Sequence, residues 1–218
     1  MIELVHQRVS AATSVDAVLV ATDDDRIAEV VRAFGGDVRL TRRDHLSGTD
    51  RLAEVAETIP CDFVVNVQAD EPMIEPSMID SAVAACADHD GVQMSTLRCP
   101  LQGRDDLDNP HVVKVAVDQA GYALFFSRAA IGRDRTGGTP ADGVGKHIGL
   151  YVYRREFLIA LSRLPPTALE RSERLEQLRV LEHGHRILTA ETLHDPVGVD
   201  TPADLEHVRR LVATGASA

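Results

Sequence analysis

Two carboxylates stand where apolar runs of this chain stop. The first is Asp70, in Phe63-Val64-Val65-Asn66-Val67-Gln68-Ala69-Asp70-Glu71-Pro72. Four of the first five residues are apolar, so the run reads as a strand buried on both faces. It halts at an acid-acid-proline break, and Pro72 pushes Glu71 toward extended geometry. Ligands of open α/β sheets bind beyond the C-terminal ends of the strands, which is where Asp70 would lie. The second is Asp200, closing Val197-Gly198-Val199 ahead of Thr201-Pro202-Ala203-Asp204. If both runs end at one sheet edge, two hard oxygen ligands meet there. Mg²⁺ favours few protein carboxylates plus phosphate oxygens, so the pair suits a nucleoside triphosphate. Each acid also has a plainer reading, Asp70 in a solvated acidic turn and Asp200 beside a helix cap. Other phosphate and acyl chemistries lack their motifs: there is no P-loop lysine, no GxGxxG after a strand, no GxSxG and no His-x-x-x-His on a helix.

The elements that must position these acids follow from periodicity. Ile2, Leu4, Val5 and Val9 predict a short helix at the start. Residues 17–21 form an apolar strand, and the acids of Thr22-Asp23-Asp24-Asp25 open a helix that Gly35-Gly36 ends. Val38 and Leu40 mark a short strand, 41–51 a polar loop, and Leu52, Val55 and Ala56 a helix. After the strand at Phe63, Pro76 opens a helix through Ile79, Val83 and Cys86. Strand and helix therefore alternate over 15–90, the sign of an α/β fold with a mostly parallel, doubly wound sheet.

The pattern then changes. Residues 112–117 and 122–126 predict a hairpin about Asp118-Gln119-Ala120-Gly121. Residues 130–145 are rich in Gly, Asp and Pro and predict a mobile loop or lid. A strand at 148–153, helices at 155–163 and 170–183, and a strand at 187–192 follow. Thr201 caps a last helix with Pro202 at its first position and Asp204 completing the cap.

Composition narrows the class. The 218 residues carry a net charge of −11, which argues against nucleic acid or anionic membranes as partners. Cys61, Cys86 and Cys99 match no metal spacing, and reduced thiols in a cytoplasmic protein are expected. No apolar run reaches bilayer length, and early Glu3, His6 and Arg8 do not read as a signal peptide. Only Lys114 and Lys146 are lysines.

Five segments in series carry a family resemblance. Thr41-Arg42-Arg43-Asp44-His45-Leu46-Ser47-Gly48-Thr49-Asp50-Arg51-Leu52-Ala53-Glu54 resembles the TRxDHxSGTxRLAE segment of 3-deoxy-manno-octulosonate (Kdo) cytidylyltransferases, the CMP-Kdo synthetases. Residues 66–72 resemble their NVQGDEP, 146–154 their RHxGxYxYR, 175–179 their LEQLR, and 198–206 their GVDTPEDLE. The resemblance implies a fold like that of the nucleotide-diphospho-sugar transferases, Rossmann-like, with an inserted hairpin lobe at about 100–155. It implies transfer of CMP from CTP to the anomeric hydroxyl of Kdo, an acidic eight-carbon sugar of lipopolysaccharide, with release of pyrophosphate. Asp70 and Asp200 would be catalytic and hold Mg²⁺, and Ser47, Gly48, Thr49 and Gln68 would lie at the nucleotide. Arg128, His147, Tyr151, Glu173 and Gln177 would line the sugar pocket, Arg128 taking the Kdo carboxylate. A homodimer through the hairpin half is implied as well.

The chain departs from this pattern at two points. Ala69 replaces the glycine between Gln68 and Asp70. The family's opening strand and its cationic triphosphate loop, of the form PARxxSxRLPGKPL, have no counterpart in the 218 residues. Two alternatives therefore stand beside Kdo activation: a cytidylyltransferase for another acidic sugar such as sialic acid, and a non-catalytic sugar-binding relative.

Overall fold

The computed structural model describes residues 1–45, 47–133 and 141–214. Helix α1 (Ile2–Ser10) leads to β1 (Leu19–Thr22), α2 (Asp25–Ala33), β2 (Asp37–Leu40), α3 (Gly48–Thr58), β3 (Phe63–Asn66) and α4 (Pro76–Ala87). Next come β4 (Met94–Cys99), α5 (Arg104–Asp108), β5 (Lys114–Val117), β6 (Ala123–Ser127) and β7 (Val144–Arg154). Helices α6 (Arg155–Leu161), α7 (Ala168–Glu173) and α8 (Gln177–Glu182), strand β8 (Leu188–Glu191) and α9 (Pro202–Thr214) complete the chain.

The local signals act where the sequence places them. Asp24 caps α2 through its side chain, Ser47 caps α3, and Pro76 opens α4. At α9 the Asp204 carboxylate accepts the Thr201 N–H at 2.8 Å while Thr201 Oγ1 accepts the Asp204 N–H at 3.2 Å. The expected hairpin is β5–β6. Asp118 Oδ1 accepts the N–H groups of Ala120 and Tyr122, each at 2.9 Å, and Gly121 supplies the φ of +83° the turn needs.

The α/β class holds, but the sheet is mixed rather than mostly parallel. Strands β3 and β4 each pair antiparallel with β7, so they run the same way with β7 between them. The parallel alternation legible in the first part of the chain is real; a long strand from the second part is laid into it. β5 and β3 follow one another along one edge of β7, β4 takes the other edge, and β8 adds parallel to β4. Pairing of β4 was invisible locally because MSTLRC lacks the apolar run of a buried strand. β7 starts at Val144, inside the stretch expected to be loop; residues 134–140 of that stretch lie outside the described residues. The single helix expected over 170–183 is two, α7 and α8, because Arg174 adopts the left-handed conformation at φ 55° and closes α7.

Both faces of the sheet are covered. Alternation along β7 sends Ile148, Leu150 and Val152 into a core with Met78, Ile79 and Ala82 of α4 and Val5 and Val9 of α1. Tyr153 joins the opposite core with Ala53 and Ala56 of α3, Phe157 and Leu158 of α6, Leu178 of α8 and Phe126 of β6. Strands β1 and β2 pair parallel to each other and apart from the six-stranded sheet. Among the described residues β1 has no second strand neighbour, and neither does β3 beyond β7. Leu19, Val20 and Ala21 of β1 and Val65 and Asn66 of β3 line a common slot between them, floored by Ile2, Val5 and Val9 of α1.

Candidate active site

The slot opens into a cavity of about 1030 Å³ that runs across the ends of β3 and β7. At one end lie the acids. After β3 the chain turns, the Glu71 N–H donating to the Gln68 carbonyl at 3.2 Å. The Val199 N–H donates to the Asp70 carbonyl at 2.8 Å, so the segment leading to Asp200 is tied directly to the segment leading from β3. The segments that carry the two acids thus meet, although residues 197–199 form no strand and β3 ends at Asn66, short of Asp70; Asp200 lines the cavity and Asp70 lies beside it, outside the lining. Between them Glu71 is largely buried. Burial, then the neighbouring charges of Asp70 and Asp200, push its carboxyl up to about 7, with Lys146 opposing. Glu71 Oε2 has no hydrogen-bond partner among the described residues. A Cβ added at Gly198 would approach Glu71 Oε1 at 3.4 Å, so the backbone here lies close against the carboxylate.

This acid cluster is short of positive charge, which is the condition a divalent cation relieves. Among the described residues no group of three or more His, Cys, Asp or Glu is preassembled around an ion. Two carboxylates completed by phosphate oxygens is a donor set that fits Mg²⁺. The nearest base to the cluster is engaged: Lys146 Nζ lies 2.6 Å from Asp195 Oδ1 and donates to Oδ2 at 2.9 Å.

At the start of α3, Gly48 and Thr49 line the cavity, with open space where a Gly48 side chain would be. Ser47 is turned to capping, accepting the Asp50 N–H at 3.2 Å, and does not line the cavity. Thr49 is buried and its hydroxyl donates to Glu176 Oε2 at 2.7 Å. Gln68 lies exposed on the cavity wall.

The far wall holds the polar groups expected at the sugar. His147 on β7 is 8% exposed, and burial lowers it to about 3, so it is neutral. Its Nε2 lies 3.0 Å from Thr96 Oγ1, and that hydroxyl donates to the Leu150 carbonyl at 2.7 Å. The hydroxyl therefore accepts from His147, which fixes the proton on Nε2. Tyr151 stacks between His147 and Tyr153, with ring centroids 5.5 and 6.1 Å away; it is at once cavity wall and packing for the adjacent core. Gln177 is 4% exposed, lines the cavity, and its Nε2 has no partner among the described residues. A buried amide with an idle donor is the mark of a site built for a ligand acceptor.

Arg128 also lines the cavity. Its Nε donates to the Glu173 carbonyl at 3.1 Å and its Nη1 to the Pro110 carbonyl at 3.3 Å. Glu173 itself does not line the cavity: its carboxylate accepts from Ser127 Oγ at 2.8 Å and the Arg128 N–H at 3.0 Å, so it holds the arginine in place. The helix around Glu173 showed only charge, and nothing local reveals which charges point inward.

Sequence reasoning assigned no role to Glu71, Glu176, Lys146 or the 109–113 segment. Asn109, His111, Val112 and Val113 reach the cavity only because β5 pairs beside the start of β7. Glu176 signals its role only through Thr49, 127 residues away.

A mixed α/β sheet bordering a nucleotide-sized cleft, with acids at one end and Arg128 at the other, is the architecture of a nucleotidyltransferase. Residues 1–187 match the family model described as cytidylyltransferase. The chain is 51% identical over 217 residues to the 3-deoxy-manno-octulosonate cytidylyltransferase of Geobacter sulfurreducens, covering 95% of this chain and 87% of that one. It is 49% identical to the enzyme of the same name from Syntrophotalea carbinolica, over 95% and 86% of the two chains. A solved structure of CMP:2-keto-3-deoxy-manno-octonic acid synthetase complexed with CTP superposes with a TM-score of 0.91 at 40% identity, over 98% of this chain and 88% of that one. A cytidylyltransferase of Leptospira borgpetersenii shares the fold, with a TM-score of 0.62 at 14% identity. The chain belongs to the cytidylyltransferase family.

Proposed function

We infer that this protein transfers CMP from CTP to the anomeric hydroxyl of Kdo, yielding CMP-Kdo and pyrophosphate. The observation that carries the reading is one continuous cavity with an uncompensated acid cluster at one end and Arg128, neutral His147 and the idle Gln177 amide at the other. The sugar hydroxyl oxygen forms a bond to the α-phosphorus and gives its proton to solvent, as the bond from that phosphorus to the bridging oxygen breaks and its electron pair leaves on pyrophosphate. Protein groups contribute positioning and charge complementarity. Gly48 and Thr49 give the nucleotide an open approach, with Ser47 setting the helix start, and Gln68 offers an amide on the same wall. Arg128 pairs with the sugar carboxylate, His147 and Tyr151 form the wall behind the ring, and Gln177 supplies a donor. Glu173 acts through Arg128.

Asp70 and Asp200 are the residues that would hold Mg²⁺. The ion would neutralise phosphate charge and polarise the reacting oxygens. No described helix is long and apolar enough to cross a membrane. A cytoplasmic location and a homodimer through the β5–β6 half belong to the same proposal; exposed Leu124 on β6 is the apolar group available there.

The test is pyrophosphate release from CTP with Mg²⁺ and Kdo, run beside sialic acid. Release with Kdo alone supports the reading, and release only with sialic acid moves the substrate to another acidic sugar. A second reading, a sugar-binding relative, is favoured by the open slot beside β3 and by Lys146, the base that opposes the acid cluster, being paired with Asp195. Kdo binding without pyrophosphate release would select it.

A further inference from the structure

Lys114 stands at the start of β5 with no exposed surface, yet no carboxylate among the described residues is bonded to it. Its Nζ donates instead to three backbone carbonyls: Asn109 at 2.9 Å, Val112 at 2.7 Å and Arg128 at 2.6 Å. Three donors to three acceptors uses the full capacity of an ammonium group. Buried lysines are rarely unpaired, because desolvation disfavours the charge, and here burial lowers the pKa of the amine. The nearest acid that favours the charge, Glu173, is already committed to Ser127 and the Arg128 N–H.

The three carbonyls come from two segments that flank the β5–β6 ladder, whose register pairs Lys114 with Ser127, and the ammonium extends that tie beyond the strands. Asn109 and Val112 belong to the turn between α5 and β5, and Arg128 follows β6. Both segments line the same wall of the cavity. The Arg128 side chain bridges them a second time, through the Pro110 carbonyl. Removing the ammonium would leave the Val112 and Arg128 carbonyls without that donor, the Asn109 carbonyl keeping only the Val112 N–H, and would free the turn that helps to set the guanidinium.

We propose that Lys114 is a positioning residue for the acidic sugar: by knotting the 109–112 turn to the end of β6, it holds the Arg128 guanidinium at the cavity face. This rests on the reading of that wall as the sugar-carboxylate end. Lys114→Met keeps length and removes both charge and donors. Lys114→Arg keeps charge but offers a planar fork, which cannot aim at the same three points.

Calorimetric binding of Kdo and of CTP separates the possibilities. Lys114→Met weakens Kdo binding by about tenfold to a hundredfold, the range a small misplacement of a binding group produces, and leaves CTP binding unchanged. Lys114→Arg falls between Lys114→Met and the unaltered chain. Unchanged Kdo affinity in Lys114→Met overturns the proposal, and so does equal loss of both ligands, which would mark a merely structural lysine. Should the methionine variant not fold, Lys114→Gln, neutral but still a donor, carries the same comparison. If the unaltered chain does not bind Kdo, the functional reading fails by itself. Amide hydrogen exchange then decides the knot: selectively faster exchange at residues 111–113 in the variant sustains it, and unchanged exchange refutes it.

Discussion

Burial of His147 makes a quantitative statement about stability against pH. The ring is 8% exposed and held at about 3, against an ordinary value of 6.5. The unfolded chain takes up a proton that the folded chain refuses. Stability from this group is therefore complete above the ordinary value and is lost as pH falls from there toward 3. Between pH 7 and pH 5 the unfolded histidine goes from mostly neutral to almost fully charged, which costs the folded state about 2 kcal/mol. In a domain of this size that lowers the melting temperature by about 4–8 °C. Glu71 works the other way, since its raised value adds stability as pH falls through the same range. The raw profile mixes the two, so the quantity to measure is a difference. Urea unfolding of the metal-free chain and of His147→Gln, at both pH values, isolates it. Glutamine can keep the contact to Thr96 without titrating. The chain with His147 should lose about 2 kcal/mol more than the variant between the two pH values. Parallel profiles would show that the folded ring takes up a proton as readily as the unfolded one, and would refute the burial that keeps His147 neutral throughout this range.

Three further outcomes test other parts of the structure. Asp70→Asn and Asp200→Asn should each abolish Mg²⁺-dependent turnover while leaving the melting curve near that of the unaltered chain; turnover retained in either refutes the metal assignment. Arg179→Met should destabilise by about 3–5 kcal/mol in urea, because Glu170, 7% exposed and bonded to Arg179 at 2.5 and 2.9 Å, is left buried without its partner. A loss near zero would mean that Glu170 gains enough from its Thr167 cap alone. Arg174→Gly should stabilise by about 1 kcal/mol, the strain of a side chain at φ 55°, and a lower melting temperature would place the arginine's contacts above its strain.

Several elements were legible because their causes are local. Apolar spacing located α1 and β3, Pro76 and Thr201-Pro202 opened their helices, and Asp118 with Gly121 made the hairpin turn. The acid-acid-proline break lies past the end of β3, which stops at Asn66, and of its three residues Glu71 lines the cavity. Strand β4 and the division of α7 from α8 were not legible. A strand of mixed composition is specified by its neighbours β7 and β8, and a left-handed arginine is imposed by packing, not by propensity.

The sequence by itself determined which residues could do chemistry and, through five motif segments, the family to which they belong. It determined the α/β class, because periodicity is a property of consecutive residues. Only the tertiary structure decided that β7 lies antiparallel between β3 and β4, and that the bond from Val199 to Asp70 joins the segments of two distant acids. It alone turned Glu173 from the pocket onto Arg128, joined Thr49 to Glu176, and buried Lys114 beneath three carbonyls. Those outcomes depend on strand pairing and burial between residues far apart in the chain, and no local pattern encodes the direction in which a charged side chain finally points.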